Sequence, residues 1–341
     1  MPPTLKQIAE AAGVSRGTVD RVVHGRGHVN PDIEAKVRCL MNEMGYQPNR
    51  LGRALVMSSR TTKLGVITQF SETPFMKMVL EGTKRAKEEL QAIGTEVLIA
   101  CIPSYNEDST LNAIDQMAHD GIQGLALTPG NSPAIRQKMQ QVIASGIPII
   151  TLNSDAPGTK RLAYVGLDNY RAGQTAAGLM SITLRGGGTI LPISGYMENT
   201  SHSHRMKGFY DVAQSEFRNL RLLELKQCHD SDDVAEQIVL QSLREHPDLS
   251  GIYLAGNGQI GVCRALRKFG KAGKVCVLCY DLTEDNVTEL RKGALDFILD
   301  QNAEEQGYRP LMLLYEKLVM GQNPPSEYLY TDICIKTRFN L

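Results

Sequence analysis

The sequence predicts two folds in one chain: an all-α head over residues 1–46 and an α/β body from residue 62 to the end of its 341 residues. Three observations predict it. Before Leu64 no strand is readable, whereas three short amphipathic segments are, each bounded by turn residues. From Leu64 onward, apolar strand-like runs alternate with helical runs, the pattern of βαβ units and a parallel sheet. Charge divides in the same place. Residues 1–60 hold nine basic residues (Lys6, Arg16, Arg21, Arg26, Lys36, Arg38, Arg50, Arg53, Arg60) against five acids (Glu10, Asp20, Asp32, Glu34, Glu43), although the whole chain balances 37 against 37. A basic end on an acidic body indicates that the end alone meets a polyanion.

The head reads as three helices. Thr4 opens T-x-x-Q, a capping box for a helix from Leu5 to about Ala12. Gly13 permits the left-handed turn that follows. Ser15 caps a second helix running to about Val23, and Asn30-Pro31 supplies an N-cap and a proline at the first position of a third. Ile8 and Ala12, then Val14, Val19 and Val22, then Ile33, Val37, Leu40, Met41 and Met44 are the expected inward positions. That leaves Arg16, Gly17, Asp20, Arg21 and His24 on the outer side of the second helix. Two short helices crossed over a glycine-containing turn make a helix-turn-helix, whose second helix enters the DNA major groove. Arginine suits base reading because its fork binds guanine O6 and N7 together. The hydroxyls of Ser15 and Thr18 and the helix N-terminus suit phosphates. Asn49 caps a further short helix with Arg50, Arg53, Ala54 and Leu55; alone it is too short to be stable in water.

The body offers eight strand candidates: LGVIT, TEVLIA, GLALT, IPIITL, GTILPI, GIYLA, KVCVLCY and DFILD. About nine units fit two Rossmann-like lobes, or a barrel. Seven scattered cysteines fit reduced thiols, and Cys276 and Cys279, inside one strand, are expected on opposite faces. MPPTLKQIAE has no apolar run or cleavage site, and no stretch is long and apolar enough to span a membrane, so a cytoplasmic protein is expected. Ser, His and Asp occur without a nucleophile elbow, which gives catalysis no support.

The run T4-L-K-Q-I-A-E-A-A-G-V-S-R-G-T-V-D-R-V-V-H24, the N30-P31 that opens the third helix and G45-Y-Q-P-N-R-L-G-R-A-L55 resemble the lactose-repressor (LacI/GalR) family of bacterial transcription regulators. The resemblance implies that Arg16 and Gly17 occupy the main base-reading positions. Gly17 leaves one of them without a side chain, and Asp20 stands where a small polar residue is commoner. It implies further that residues 47–61 form a hinge helix pairing over the operator centre, with Leu55 wedged into the minor groove.

The resemblance continues through T73-P-F-M, V165-G-L-D-N-Y-R-A-G173, R205-M-K-G-F209, G256-N257, Y280-D281 and D300-Q301 to the periplasmic-binding-protein-like (type I) fold, the ribose-binding kind above all. It implies a domain for effector binding and dimerisation over 62–341, with one lobe of about 62–165 plus 301–325 and another of 166–296 plus 327–341. Carried over residue by residue, Phe75 stacks on the ligand beside Thr73, and Asn153, Arg205, Asn257, Asp281 and Gln301 grip hydroxyls, with Tyr280 beside Asp281. One departure stands out: Asn153-Ser154 replaces the usual Asp-Arg, which removes a bidentate clamp. The expectation is a dimeric, ligand-responsive repressor, with operator DNA, a sugar or polyol and a second copy of itself as partners, and neither cofactor, metal nor enzymatic activity. Two alternative readings stand beside it. G256-N-G-Q-I-G261 spells G-x-G-x-x-G after a strand, with Asp281 ending the next, as in a dinucleotide site, which would make an NAD-sensing regulator. A solute-binding protein for a transporter needs no basic head. His202 and His204 lack a third metal ligand in sequence.

Overall fold

The computed structural model describes residues 5–24, 29–44, 62–130, 132–197 and 199–341. Thr4 and the hinge segment with Asn49, Arg50, Arg53, Ala54 and Leu55 lie outside the described residues, as do the side chains of Asp20 and His24. The head and the body form separate compact units, dividing after Met57.

In the head, α1 spans Leu5–Ala12, α2 Arg16–His24 and α3 Pro31–Glu43. Gly13 takes φ +70° in the turn between the first two. Asn30 Oδ1 accepts the Asp32 N–H at 2.8 Å, and Ser15 Oγ accepts the Thr18 N–H at 3.1 Å, so both predicted caps form. Ile8, Ala12, Val19, Val22 and Val37 are buried, with Val14, Ile33, Leu40 and Met41 packed around them. Met44 is the exception: it is 36% exposed, because α3 ends at Glu43 and the helical period no longer carries the next residue inward.

The body is two lobes, each a mostly parallel sheet flanked by helices. The first-lobe sheet has the order β12-β5-β4-β3-β1-β2, parallel throughout. Its strands are β1 (Thr62–Thr68), β2 (Thr95–Cys101), β3 (Gly124–Leu127), β4 (Ile149–Leu152), β5 (Ala163–Leu167) and β12 (Tyr328–Thr331), with helices α4 (Pro74–Ala92), α5 (Glu107–His119), α6 (Pro133–Ala144) and α12 (Ala303–Tyr315). The second-lobe sheet runs β13-β11-β10-β9-β6-β7, with β8 beside β6 and only β13 antiparallel to its neighbour. It comprises β6 (Gly188–Ser194), β7 (Leu220–Leu222), β8 (Lys226–Gln227), β9 (Leu249–Leu254), β10 (Cys276–Tyr280), β11 (Phe297–Asp300) and β13 (Cys334–Lys336). Around it lie α7 (Asn169–Thr183), α8 (Thr200–Glu216), α9 (Asp232–Glu245), α10 (Gln259–Lys268) and α11 (Glu284–Arg291). A barrel is excluded by these two open sheets.

The chain crosses between lobes after Leu167, after Asp300 and after Thr331. The last crossing corrects the expected boundary at residue 327. Tyr328–Thr331 pairs with Tyr164–Leu167 of the first lobe, and Leu329 is buried in that lobe's core. Only the closing segment from Cys334 belongs to the second sheet. Cys276 and Cys279 face opposite sides of β10, packing into different clusters.

Candidate functional site

Parallel sheets bring the carboxyl ends of their strands, and the N-termini of the following helices, to one edge, and there two α/β lobes face each other. A cavity of about 730 Å³ lies at that edge. From the first lobe it is lined by Phe70, Tyr105, Thr128, Asn153 and Ser154, and from the second by Tyr196, Asn199 and Thr200, among others. Phe70, just past β1, adopts φ +56°, and its ring stacks on Tyr105 with centroids 6.4 Å apart. The lining therefore combines aromatic faces with hydroxyls and amides.

Several buried polar atoms at these strand ends have no hydrogen-bond partner: Gln69 Oε1, Ser71 Oγ and Thr128 Oγ1 in the first lobe and Ser194 Oγ in the second. A buried polar group without a partner costs free energy, so a run of them at strand ends beside a cavity marks where a ligand's own groups belong. The lobes also touch directly. Ser154 Oγ lies 3.1 Å from Thr200 Oγ1, and Ser201 Oγ donates to the Asn153 carbonyl at 3.1 Å. The pair that departs from Asp-Arg thus bridges one lobe to the other.

A charged network backs the second lobe. Arg205 is 3% exposed; its Nε donates to Asn169 Oδ1 (2.8 Å), one Nη donates to the Ala255 carbonyl (3.1 Å), and its Cζ lies over the Tyr280 ring, 3.9 Å from the centroid. Asp281, 7% exposed at φ +76°, accepts from Gln301 Nε2 at 2.6 Å. Gln306 Nε2 donates to the Gln301 carbonyl at 2.8 Å, extending the network into α12. Burial raises the Asp281 pKa, while Arg205 and the Gln301 hydrogen bond pull it back. Burial pushes Tyr280 up to about 12 and His202 down to about 4; Asp230 opposes the shift on His202. His202 Nδ1 accepts the Tyr196 N–H at 3.2 Å, and its neutral ring is thereby held against the cavity wall.

Of the eight predicted effector residues, Asn153 lines the cavity, at φ +61°. Arg205, Tyr280, Asp281 and Gln301 are brought into one network. Asn257 is half-buried, its N–H donating to Asp230 Oδ1. Thr73 caps α4, and Phe75 is placed in the first-lobe core with Val79 and Leu311, while Phe70 takes the cavity position. Sequence reading missed Phe70, Tyr105, Thr128, Tyr196, Asn169, His202 and Asp230. For Phe70, Thr128, Asn169 and Tyr196 the available signal was position, just past the end of an apolar strand run; His202, inside α8, and Asp230, after the exposed strand β8, carried none. The glycines of 256–261 have packing uses. A Cβ on Gly261 would fall 1.8 Å from the Asp232 carbonyl, and one on Gly256 would fall 2.7 Å from the Gly195 N. That use removes the support the glycine spacing gave to a dinucleotide site.

In the head, Arg16, Gly17 and Arg21 are exposed on α2, with Thr18 half-buried. Ser15 Oγ and Thr18 Oγ1 lie 2.9 Å apart, and Arg21 Nε donates to the Gly17 carbonyl at 3.3 Å. A Cβ at Gly17 would meet only Ser15 Oγ, at 3.7 Å, so the outer surface of α2 is open there.

Residues 4–49 match the bacterial regulatory proteins of the lacI family, and residues 64–323 match a periplasmic binding protein domain. The HTH-type transcriptional regulator CelR of Thermobifida fusca is 26% identical over 95% of this chain and 94% of that protein. The D-ribose/D-allose-binding protein of Pseudomonas aeruginosa is 24% identical over 82% of this chain and 93% of its own length. The HTH-type transcriptional regulator DegA of Bacillus subtilis is 29% identical, the match spanning 61% of this chain and 60% of that protein. Among solved structures, the glucose-galactose binding protein GanP of Geobacillus stearothermophilus shares the fold with a TM-score of 0.76, at 23% identity over 83% of this chain and 99% of that one. A solute-binding protein of Burkholderia graminis in complex with D-arabinose gives 0.75, at 24% identity over 82% and 96%.

Proposed function

From a chain that belongs to the lacI family of bacterial regulatory proteins and carries a periplasmic-binding-protein domain, we propose a cytoplasmic, homodimeric repressor that binds a near-palindromic operator and releases or tightens its hold when a small sugar or polyol enters the cleft. One observation carries the reading: a helix-turn-helix with an open, arginine-bearing second helix shares its chain with a two-lobed cavity bordered by unsatisfied buried polar groups. A transport binding protein has no use for the first, and a constitutive repressor none for the second.

Two-fold symmetry in the protein demands a two-fold site, so paired heads read two half-sites. Arg16 reads base edges from the start of α2; Arg50 and Arg53 add phosphate contacts, and Leu55 intercalates at the centre. The effector acts through its different affinities for two lobe arrangements, which bias the hinge segments toward or away from DNA. The names of relatives that bind ribose, allose, galactose or arabinose support a monosaccharide-sized ligand, as does the mixture of aromatic faces and hydroxyl partners. None of these roles is catalytic.

The test is selection of duplexes from a random pool by the full chain, followed by titration at physiological salt. A two-fold symmetric sequence should emerge, and a neutral sugar should shift its affinity. Arg16→Ala should flatten the preference among bases, whereas Arg53→Ala should weaken all duplexes alike. Equal affinity for selected and random duplex would overturn the reading.

A further inference from the structure

Behind Tyr196, on the second-lobe side of the cavity, stands a carboxylate that none of the motifs pointed to. Asp230 lies in the turn between β8 and α9, and it and His229 are consecutive non-glycine residues with left-handed backbones, at φ +57° and +51°. Strain of this kind persists only where the surroundings over-determine it, and it clusters at ligand sites. The surroundings here do so. The Asn257 N–H donates to Asp230 Oδ1 at 2.8 Å, and the His229 ring packs 5.2 Å from that of Tyr196, which lines the cavity. Two glycines make room for the carboxylate. A Cβ on Gly195 would sit 2.1 Å from Asp230 Oδ1, and one on Gly256 2.7 Å away. The ends of β6 and β9 are thus both stripped of side chains where this group enters. Among the described residues, no cation forms an ion pair with Asp230.

Charge around the cavity decides what it admits. Asp230 and Asp281 bring two carboxylates to the second lobe. Arg205 opposes them with a single positive charge, its Nε held by Asn169, one Nη by the Ala255 carbonyl and its face by Tyr280. His202, whose Cε1 lies 2.8 Å from the same Gly195 Cβ position, is neutral at pH 7. From the first lobe come aromatic, hydroxyl and amide groups without a basic side chain. A phosphate entering this space meets like charge at short range with little water to screen it. A pair of hydroxyls instead donates to the carboxylate in strong, charge-assisted hydrogen bonds.

We propose that Asp230 is a specificity-determining contact of the effector cavity, accepting hydrogen bonds from paired hydroxyls of an uncharged polyhydroxylated ring and turning away phosphorylated and acidic sugars. The assignment rests on the reading of the cavity as a sugar-class effector site.

Calorimetric titration of the full chain tests it with two probe sets: D-ribose, D-allose, D-arabinose and D-galactose, and then D-ribose 5-phosphate, D-galactose 6-phosphate and D-galactonate. The wild type should bind at least one neutral sugar and should bind its phosphate or acid far more weakly. Asp230→Asn keeps an oxygen for the Asn257 N–H; it should weaken the neutral sugar about tenfold or more and narrow its lead over the anionic form. Asp230→Gly, which suits the left-handed backbone, separates loss of the carboxylate from any loss of folding, and it should show the same narrowing. A wild type that takes a sugar phosphate as tightly as its parent sugar overturns the assignment, and so does an Asp230→Asn protein with unchanged selectivity. Failure of every probe, neutral and anionic, overturns the effector reading itself.

Discussion

His202 shows how much one residue draws from its surroundings. In the sequence it is half of a His-Ser-His run that suggested nothing definite. In the structure it is buried beside the cavity, accepts the Tyr196 N–H and holds a pKa near 4 because charge is costly there. The unfolded chain takes up a proton near pH 6.5 and the folded protein does not until near pH 4. Its contribution to stability is therefore complete above pH 6.5 and is lost as pH falls toward 4. Between pH 7 and pH 5 the unfolding free energy should drop by about 2 kcal/mol from this group. His202→Asn, which keeps an acceptor for Tyr196, should remove that part of the slope in urea titrations at the two pH values; an identical slope in both proteins would refute the assignment. The aromatic contact of the first lobe illustrates the same limit of sequence. Phe70 and Phe75 lie five residues apart on one turn and helix start, and a left-handed φ at Phe70 turns that ring to the cavity while the α4 stripe draws Phe75 into the core. Residue type was legible; the backbone torsion that chose between the two rings was not.

Most helices and central strands were legible because their periodicity is a physical consequence of burial on one side or both, although the buried central strand β5 went unread. LGVIT, GLALT, IPIITL and KVCVLCY all lie in or across observed strands for that reason. The strands that went unread include the short edge strands β7, β12 and β13, which keep one face in water and lack a continuous apolar run. Missing β12 is what misplaced the last lobe boundary. Helix pairs were legible as helices but not as contacts, since those depend on which glycine faces which backbone. On α7, a Cβ at Gly173 would fall 2.0 Å from the Arg205 carbonyl, whereas one at Gly178 meets nothing within 4 Å. The same change at two sites of one helix should thus have opposite signs. Gly173→Ala must push α8 outward, costing about 1–3 kcal/mol and displacing Arg205 from Asn169. Gly178→Ala adds helix propensity in open space and should stabilise by about 0.5–1 kcal/mol. Thermal unfolding of the two variants beside wild type measures the signs, and a weakened effector response confined to Gly173→Ala would show that the α7–α8 contact positions the guanidinium.

At the scale of the molecule, the head and the two-lobed body were both legible, because each pairs a distinct period with a distinct charge balance. The physical use of Asn153-Ser154 was not, since a departure from a pattern says only what has been lost. Ser154 reaches Thr200, and Ser201 reaches the Asn153 carbonyl, so some of the free energy that holds the lobes in this arrangement comes from the protein itself. One such hydrogen bond contributes about 1 kcal/mol. Ser154→Ala should therefore shift the lobe equilibrium about fivefold and weaken a ligand selective for this arrangement by up to that factor, leaving the cavity's aromatic and amide lining intact. Whether the shift reaches DNA is a separate question with a strict answer. The factor by which effector changes operator affinity must equal the factor by which operator changes effector affinity, and it departs from one only if the two sites are coupled. Operator titrations with and without a neutral sugar, and calorimetric sugar titrations with and without operator, measure the two independently. They should agree in wild type, and in Ser154→Ala both should change together. A wild type whose operator affinity does not change with a sugar that it demonstrably binds would mean that the cleft and the DNA-binding head do not share one conformational switch.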